Sequence, residues 1–522
     1  DAKIGQLQQV DATGTTLSDT LIQDVRAGRI GAIINQVDPD LCAEIQRIEV
    51  EESPYGIPLL IGRDVIHGIS TVFPIPIGQA ASWNPSLVEA CARVSAEEAS
   101  AAGVTWTFSP MIDISRDARW GRIAESFGED PYLTATFGVS MIRGYQGEDL
   151  SDPSAIAACA KHFVGYGASE SGRDYDTTNI PTNELHNIYL PPFKAAADAG
   201  VATFMTSFGD IDGIPASGNE YILKDILRDA WQYDGLVVSD WDSIRQLSVH
   251  GLTDGDRSAA KEAVTAGVDM EMAGTAYAEH LADLIADGDI DLSRVDELVE
   301  NVLRLKFRLG LFKAPYARPD AGSLTSNAEK LALAKQAAIE STVLLKNENA
   351  LLPLDAATLK RVALIGPMAD QPYEQLGTWI FDGDDTFSQT PLAAFKDALP
   401  AHIEFDHVKV LETTRSYDLS EAETAIEAAR NADVTVVFLG EESILSGEAH
   451  SRADINLPGA QTELLAQLKA TGTKLVTVIL AGRPLTLPEI VANSAALLIA
   501  WHPGTMTGPA LYDLIFGSAA PS

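Results

Sequence analysis

From the first residue to about position 312, short apolar runs alternate with longer stretches whose apolar residues recur at helical spacing. The short runs predict strands at 30–35, 58–62, 104–109, 156–162, 202–207, 235–240 and 268–272, and the longer stretches predict helices that include 85–102, 133–145 and 185–199. Repeated strand-then-helix units imply a parallel sheet, and over this length a TIM-like (β/α) barrel is the expected closure. Seven strands rather than eight leave the barrel irregular. The pattern breaks at 313–327, where Pro315 and Pro319 stand among alanine and glycine, as expected of a linker. Strand-helix logic then resumes over 328–522. A helix at 327–341, strands at 361–366, 434–440, 475–481 and 495–501, and helices at 419–431 and 461–470 predict an α/β sandwich domain with a mostly parallel, doubly wound sheet. No phosphate-binding glycine fingerprint opens any of these helices, which removes support for a nucleotide role.

Composition narrows the partners. The chain has 522 residues, more than one core accommodates, with 74 acidic against 37 basic side chains and a formal charge of −37. That balance disfavours nucleic acid and anionic membrane as partners and suits a neutral ligand. Cys42, Cys91 and Cys159 are widely separated in apolar surroundings, so they read as core residues rather than a disulfide framework or a metal site. No apolar stretch is long enough to span a bilayer. The opening residues do not form a signal peptide, so a mature or trimmed chain, or a cytoplasmic protein, is expected.

Candidate chemistry lies just beyond the strands. The run Gly235-Leu236-Val237-Val238-Ser239-Asp240-Trp241 is a buried-strand pattern ending in a carboxylate beside an indole. At the C-terminal end of a barrel strand Asp240 is a candidate nucleophile or base; an N-cap of the following helix is the alternative. Arg63-Asp64, Asp113 and Lys161-His162 follow or end other strands. Singly they could be a turn pair, a rim ion pair or a satisfied histidine, but convergence from several strand ends marks a barrel active site. In the second region the polar, acid-rich stretch from Glu441 to Arg452 follows a strand, where open α/β sheets bind ligands; a solvated surface loop is the alternative.

These residues carry a resemblance. Lys161-His162-Phe163 resembles the Lys-His-Phe signature of glycoside hydrolase family 3. Asp117-Ala118-Arg119-Trp120-Gly121-Arg122, followed by Ser126-Phe127-Gly128-Glu129-Asp130-Pro131, is similar to that family's WGR and S-x-GEDP pattern. Gly235 to Trp241 resembles its nucleophile strand. The resemblance covers nearly the whole chain. It implies a retaining, exo-acting β-glucosidase of the bacterial periplasmic type, without cofactor or metal, periplasmic or secreted. Its expected partner is a small β-glucoside or oligosaccharide, and a homodimer is admitted.

Carried over residue by residue, the resemblance makes Asp240 the nucleophile and assigns Asp64, Arg122, Lys161 and His162 to the hydroxyls of the terminal sugar. Trp241 becomes part of the aromatic wall, and Trp379 a clamp on the next sugar. Glu448 is the expected acid/base, with Glu441 and Glu442 as competitors in the same loop. Two departures stand out. Phe208 occupies the place where some relatives carry a tyrosine that reaches the nucleophile, and the chain stops where the family normally continues, so a truncated second domain is expected. Other readings are a family 3 β-xylosidase or N-acetyl-β-glucosaminidase, a non-catalytic sugar-binding protein, and a metal-dependent or Schiff-base barrel using His162 or Lys161.

Overall fold

Most of the short apolar runs become central strands in the computed structural model, which describes residues 1–317, 323–383 and 385–521. Two compact units emerge. One comprises Asp1–Ile66, Val88–Arg116 and Phe127–Leu324; the other comprises His67–Leu87, Asp117–Ser126 and Thr325–Ser522. Of the expected linker 313–327, residues 318–322 lie outside the described residues.

The first unit contains β1 (Gln8–Asp11), β2 (Ala32–Ile34), β3 (Leu60–Arg63), β4 (Trp106–Thr107), β5 (Cys159–Phe163), β6 (Thr203–Thr206), β7 (Leu236–Val238) and β8 (Glu271–Met272). Strands β8-β1-β2-β3-β4 form one parallel sheet and β5-β6-β7 another. Parallel bridges from Trp106 to Ala157 and from Met111 to Lys161 link β4 to β5, and one from Val238 to Met270 links β7 to β8. The strands therefore follow one another around a closed ring in chain order, as a TIM-like barrel requires. The count of seven is corrected to eight by β1. Its residues read Gln-Gln-Val-Asp, and Gln8 and Gln9 are buried despite their polarity, so no apolar run announces the strand.

Helices start where capping chemistry places them. In the Glu129-Asp130-Pro131 motif, the Asp130 carboxylate accepts a 2.7 Å hydrogen bond from the Leu133 amide, and Pro131 opens the helix Pro131–Gln146. Asp38 and Pro39 repeat the device at the helix Pro39–Glu52. The three cysteines are buried and none is in a disulfide. Among the described residues no helix is long and apolar enough to cross a membrane.

The second unit holds β9 (Val343–Asn347), β10 (Arg361–Ile365), β11 (Glu404–Val408), β12 (Val434–Gly440), β13 (Lys474–Leu480) and β14 (Ala496–Ile499). They are ordered β9-β14-β13-β12-β10-β11, with only β9 antiparallel. Alternate residues of the same strands enter different cores: Leu364, Val436, Phe438 and Val478 face one layer, and Ile365, Val437, Leu439 and Ile479 the other. A sheet buried on both faces needs near-continuous apolar strands, which is why its centre is visible in the sequence. The edge strands β9 and β11 are half-exposed and carry polar residues, so they lack that signal.

Candidate active site

In the first unit the charged side chains gather at the C-terminal ends of β3, β4, β5 and β7. Lys161, on β5, places Nζ 3.0 Å from Oδ1 of Asp64, just past β3, and both side chains are largely buried. His162 is fully buried. Oδ2 of Asp113 lies 2.8 Å from His162 Nδ1 and also accepts a 2.9 Å hydrogen bond from the His162 amide. An ionised carboxylate only accepts, so Nδ1 carries the hydrogen and the ring is locked. The opposite nitrogen, Nε2, then stands 3.5 Å from Oδ2 of Asp240.

Asp240 follows β7 in an anchored turn. The Ser239 amide bonds to the Met270 carbonyl, and the Met272 amide donates to the Ser239 hydroxyl. Oδ1 of Asp240 accepts from the Trp241 amide at 2.7 Å, while the next helix starts only at Gln246. The N-cap position of that helix is Arg245, five residues beyond Asp240. Trp241 remains 41% exposed and presents an indole to solvent. Phe208 is buried and packs edge-on against Tyr175, with ring centroids 5.0 Å apart.

The second unit holds the other candidates. Arg122 lies in the short helix Gly121–Glu125 and is buried with Glu125, three residues on. Their contact is bidentate, with Nε to Oε1 at 2.7 Å and Nη2 to Oε2 at 3.1 Å. The third nitrogen, Nη1, is 3.5 Å from Oε2 of Glu448, and the guanidinium carbon lies 5.4 Å from the centre of the Trp379 ring. Arg122, Trp379 and Glu448 thus form one cluster.

The three glutamates of the loop after β12 differ in their ties. Glu441 is fully buried between Arg452 and Arg483, and Gly482 also donates its amide to the carboxylate. Burial pushes its carboxyl above the ordinary value, against the pull of the two guanidinium groups. Glu442 accepts from Thr414 Oγ1 at 2.7 Å and from Arg415 Nε at 3.0 Å. Burial raises its carboxyl, but the bonds to Arg415 and Thr414 outweigh this and leave it below the ordinary range. The Glu448 side chain is 26% exposed, with the Arg122 guanidinium beside it.

Comparison with known proteins decides the family. The model of the glycosyl hydrolase family 3 N-terminal domain matches residues 1–305, and that of the family 3 C-terminal domain matches residues 342–522. The chain belongs to glycoside hydrolase family 3. It is 36% identical to a periplasmic β-glucosidase of Salmonella typhimurium over all of this chain and 71% of the relative. A β-xylosidase of Formosa agariphila is 33% identical over 94% of this chain and 72% of its own length. The crystal structure of a Listeria innocua β-glucosidase with glucose superposes with a TM-score of 0.93 at 36% identity, covering 99% of this chain and 73% of that one. A mutant of the Listeria enzyme has been solved with laminaribiose.

This family 3 chain is therefore a glycoside hydrolase. Sequence reasoning left three of its site contacts unread. Asp113 was legible as a polar residue beyond a strand, but not as the group that orients His162. Glu125 stands three residues after Arg122, a spacing that signals a helical ion pair. Arg483 gave no signal, because most of its partners are backbone carbonyls.

Proposed function

We propose that this family 3 enzyme is a retaining, exo-acting β-glucosidase that releases terminal non-reducing β-D-glucosyl residues from oligosaccharides or glucosides. In this reading Asp240 attacks the anomeric carbon while Glu448 protonates the departing oxygen. Glu448 then takes a proton from the water that cleaves the glycosyl-enzyme. The observation that carries the assignment is exposure: each of the three loop glutamates lies beside a guanidinium, but the Glu448 side chain is 26% exposed against 10% for Glu442 and 0% for Glu441. Asp64, Lys161, His162 and Arg122 supply the hydrogen bonds a neutral sugar needs, and Trp241 and Trp379 the apolar faces on which it stacks. A periplasmic or secreted location belongs to the same reading, supported by the Salmonella relative. A β-xylosidase is the second reading, supported by the Formosa relative.

Azide distinguishes the two carboxylates by product anomer. In Glu448→Ala, azide should restore turnover of an activated aryl β-glucoside and yield the β-glucosyl azide. In Asp240→Ala, any azide product should be the α-anomer. Wild-type rate in Glu448→Ala would remove it as acid/base. Activity of the wild type on aryl β-xylosides but not β-glucosides would keep the roles and replace the sugar.

A further inference from the structure

The loop bearing Glu448 has little secondary structure of its own, so something else must fix it. Its backbone runs along the segment that carries Arg122: the Gly447 amide bonds to the Gly121 carbonyl at 2.7 Å, and the Arg452 amide to the Arg119 carbonyl at 2.9 Å. The approach is close enough that a Cβ on Gly121 would come 2.1 Å from the Gly447 oxygen, and one on Gly482 would come 2.0 Å from Ser446 Oγ. Where these three stretches meet, one fully buried side chain, Arg483, fills the junction.

Its guanidinium is divided between them. Nη1 donates to the carbonyls of Ala118 and Arg119, at 3.0 and 2.9 Å, and more distantly to that of Trp120 at 3.4 Å. Nη2 donates to the carbonyls of Leu445 and His450, the latter at 2.9 Å, which bracket Glu448 in the chain. Nε faces the Glu441 carboxylate at 3.3 Å. A planar fork of fixed donors can hold two strands of backbone in register, which a lysine ammonium on a flexible stem cannot.

We infer that Arg483 is a positioning residue that clamps the Glu448 loop to the Arg122 segment, and thereby sets where the acid/base carboxyl stands. Arg483 acts on the reaction only through that carboxyl. The inference rests on the assignment of Glu448 as acid/base and goes beyond it in naming what aims the group. Loss of the clamp should impair proton delivery to the leaving group more than sugar binding or nucleophilic attack.

The test compares Arg483→Lys and Arg483→Met with Glu448→Ala on two β-glucosides. One is 2,4-dinitrophenyl β-glucoside, whose leaving group needs no proton. The other is methyl β-glucoside, whose leaving group does. The expected result is a loss in kcat/KM of about 100-fold on the methyl glucoside, less than about 3-fold on the dinitrophenyl glucoside, and a pH profile altered on the limb that reports the acid. Glu448→Ala should show the same asymmetry, more strongly. Equal losses on both substrates, or none, in Arg483 variants while Glu448→Ala keeps its asymmetry would overturn the clamp alone. Symmetric losses in Glu448→Ala would overturn the acid/base assignment and the clamp with it. If neither Arg483 variant folds, Glu441→Gln, which removes the charge facing Nε, carries the same comparison: asymmetry supports the clamp and symmetry overturns it.

Discussion

Asp113→Asn isolates the contribution of one buried carboxylate to the orientation of His162. Oδ2 of Asp113 receives two hydrogen bonds, 2.9 Å from the His162 amide and 2.8 Å from Nδ1. The asparagine oxygen can still accept both, so the geometry survives while the charge is lost. Hydrogen bonds to an ionised acceptor are worth about 1.5–3 kcal/mol, roughly twice the neutral kind. The substitution should therefore cost about 2 kcal/mol in holding the ring, or roughly 30-fold in kcat/KM if the whole cost falls on the transition state. The assay is a double-mutant cycle on p-nitrophenyl β-glucoside with Asp113→Asn, His162→Ala and the pair, each checked for a native circular dichroism spectrum. Because Asp113 acts through His162, the pair should be no slower than His162→Ala alone. Losses that multiply would refute this reasoning.

Two further outcomes follow from buried charges elsewhere. Lys306 is fully buried with Nζ 2.6 Å from the Gln6 side-chain oxygen, and burial lowers its pKa from 10.5 to about 7. Between those values the unfolded chain holds a proton that the folded chain lacks, so Lys306 lowers stability fully below pH 7 and the penalty lifts as pH rises. From pH 7 to 9 the wild type should gain about 2–3 kcal/mol relative to Lys306→Met. Thermal melts of the two proteins across that range that stay parallel would count against the lowered pKa. In the Glu448 loop, Glu442→Gln should keep kcat within about 3-fold and lose under about 1 kcal/mol of stability, because its partner Arg415 is more than half exposed. A large loss of turnover that azide rescues would instead make Glu442 the acid/base.

The central strands of both units were legible because burial on both faces forces unbroken apolar runs, as in Val434–Gly440 and Lys474–Leu480. Where a strand meets other chemistry, that link fails. Gln8 and Gln9 are buried polar residues, and Glu404–Val408 lies on a half-exposed edge. The candidate site followed the same division. Asp64, Lys161, His162 and Asp240 stand out because a charge abruptly ends an apolar run, and the structure brings the first two together and the last two within 3.5 Å. The placement of Glu448 beside Arg122 depends on a loop folding back through backbone hydrogen bonds. The main chain of almost any residue can make such bonds, so the letters of the loop do not announce them, and only the glycines at the close approach, Gly121 and Gly482, leave a trace.

The five crossings of the chain between its compact units have a consequence for inheritance. His67–Leu87 and Asp117–Ser126 lie within the first half of the chain but belong to the unit completed by Thr325–Ser522. They bring Ile75, Ile77, Ile123 and Ala124 into a cluster that Trp501 joins, and Val72 into another with Leu376 and Ile380. A single recombination point near residue 320 would join these inserts to a foreign second half that never evolved beside them. Exchange between family members is therefore expected to succeed only when the two inserts travel with the C-terminal half.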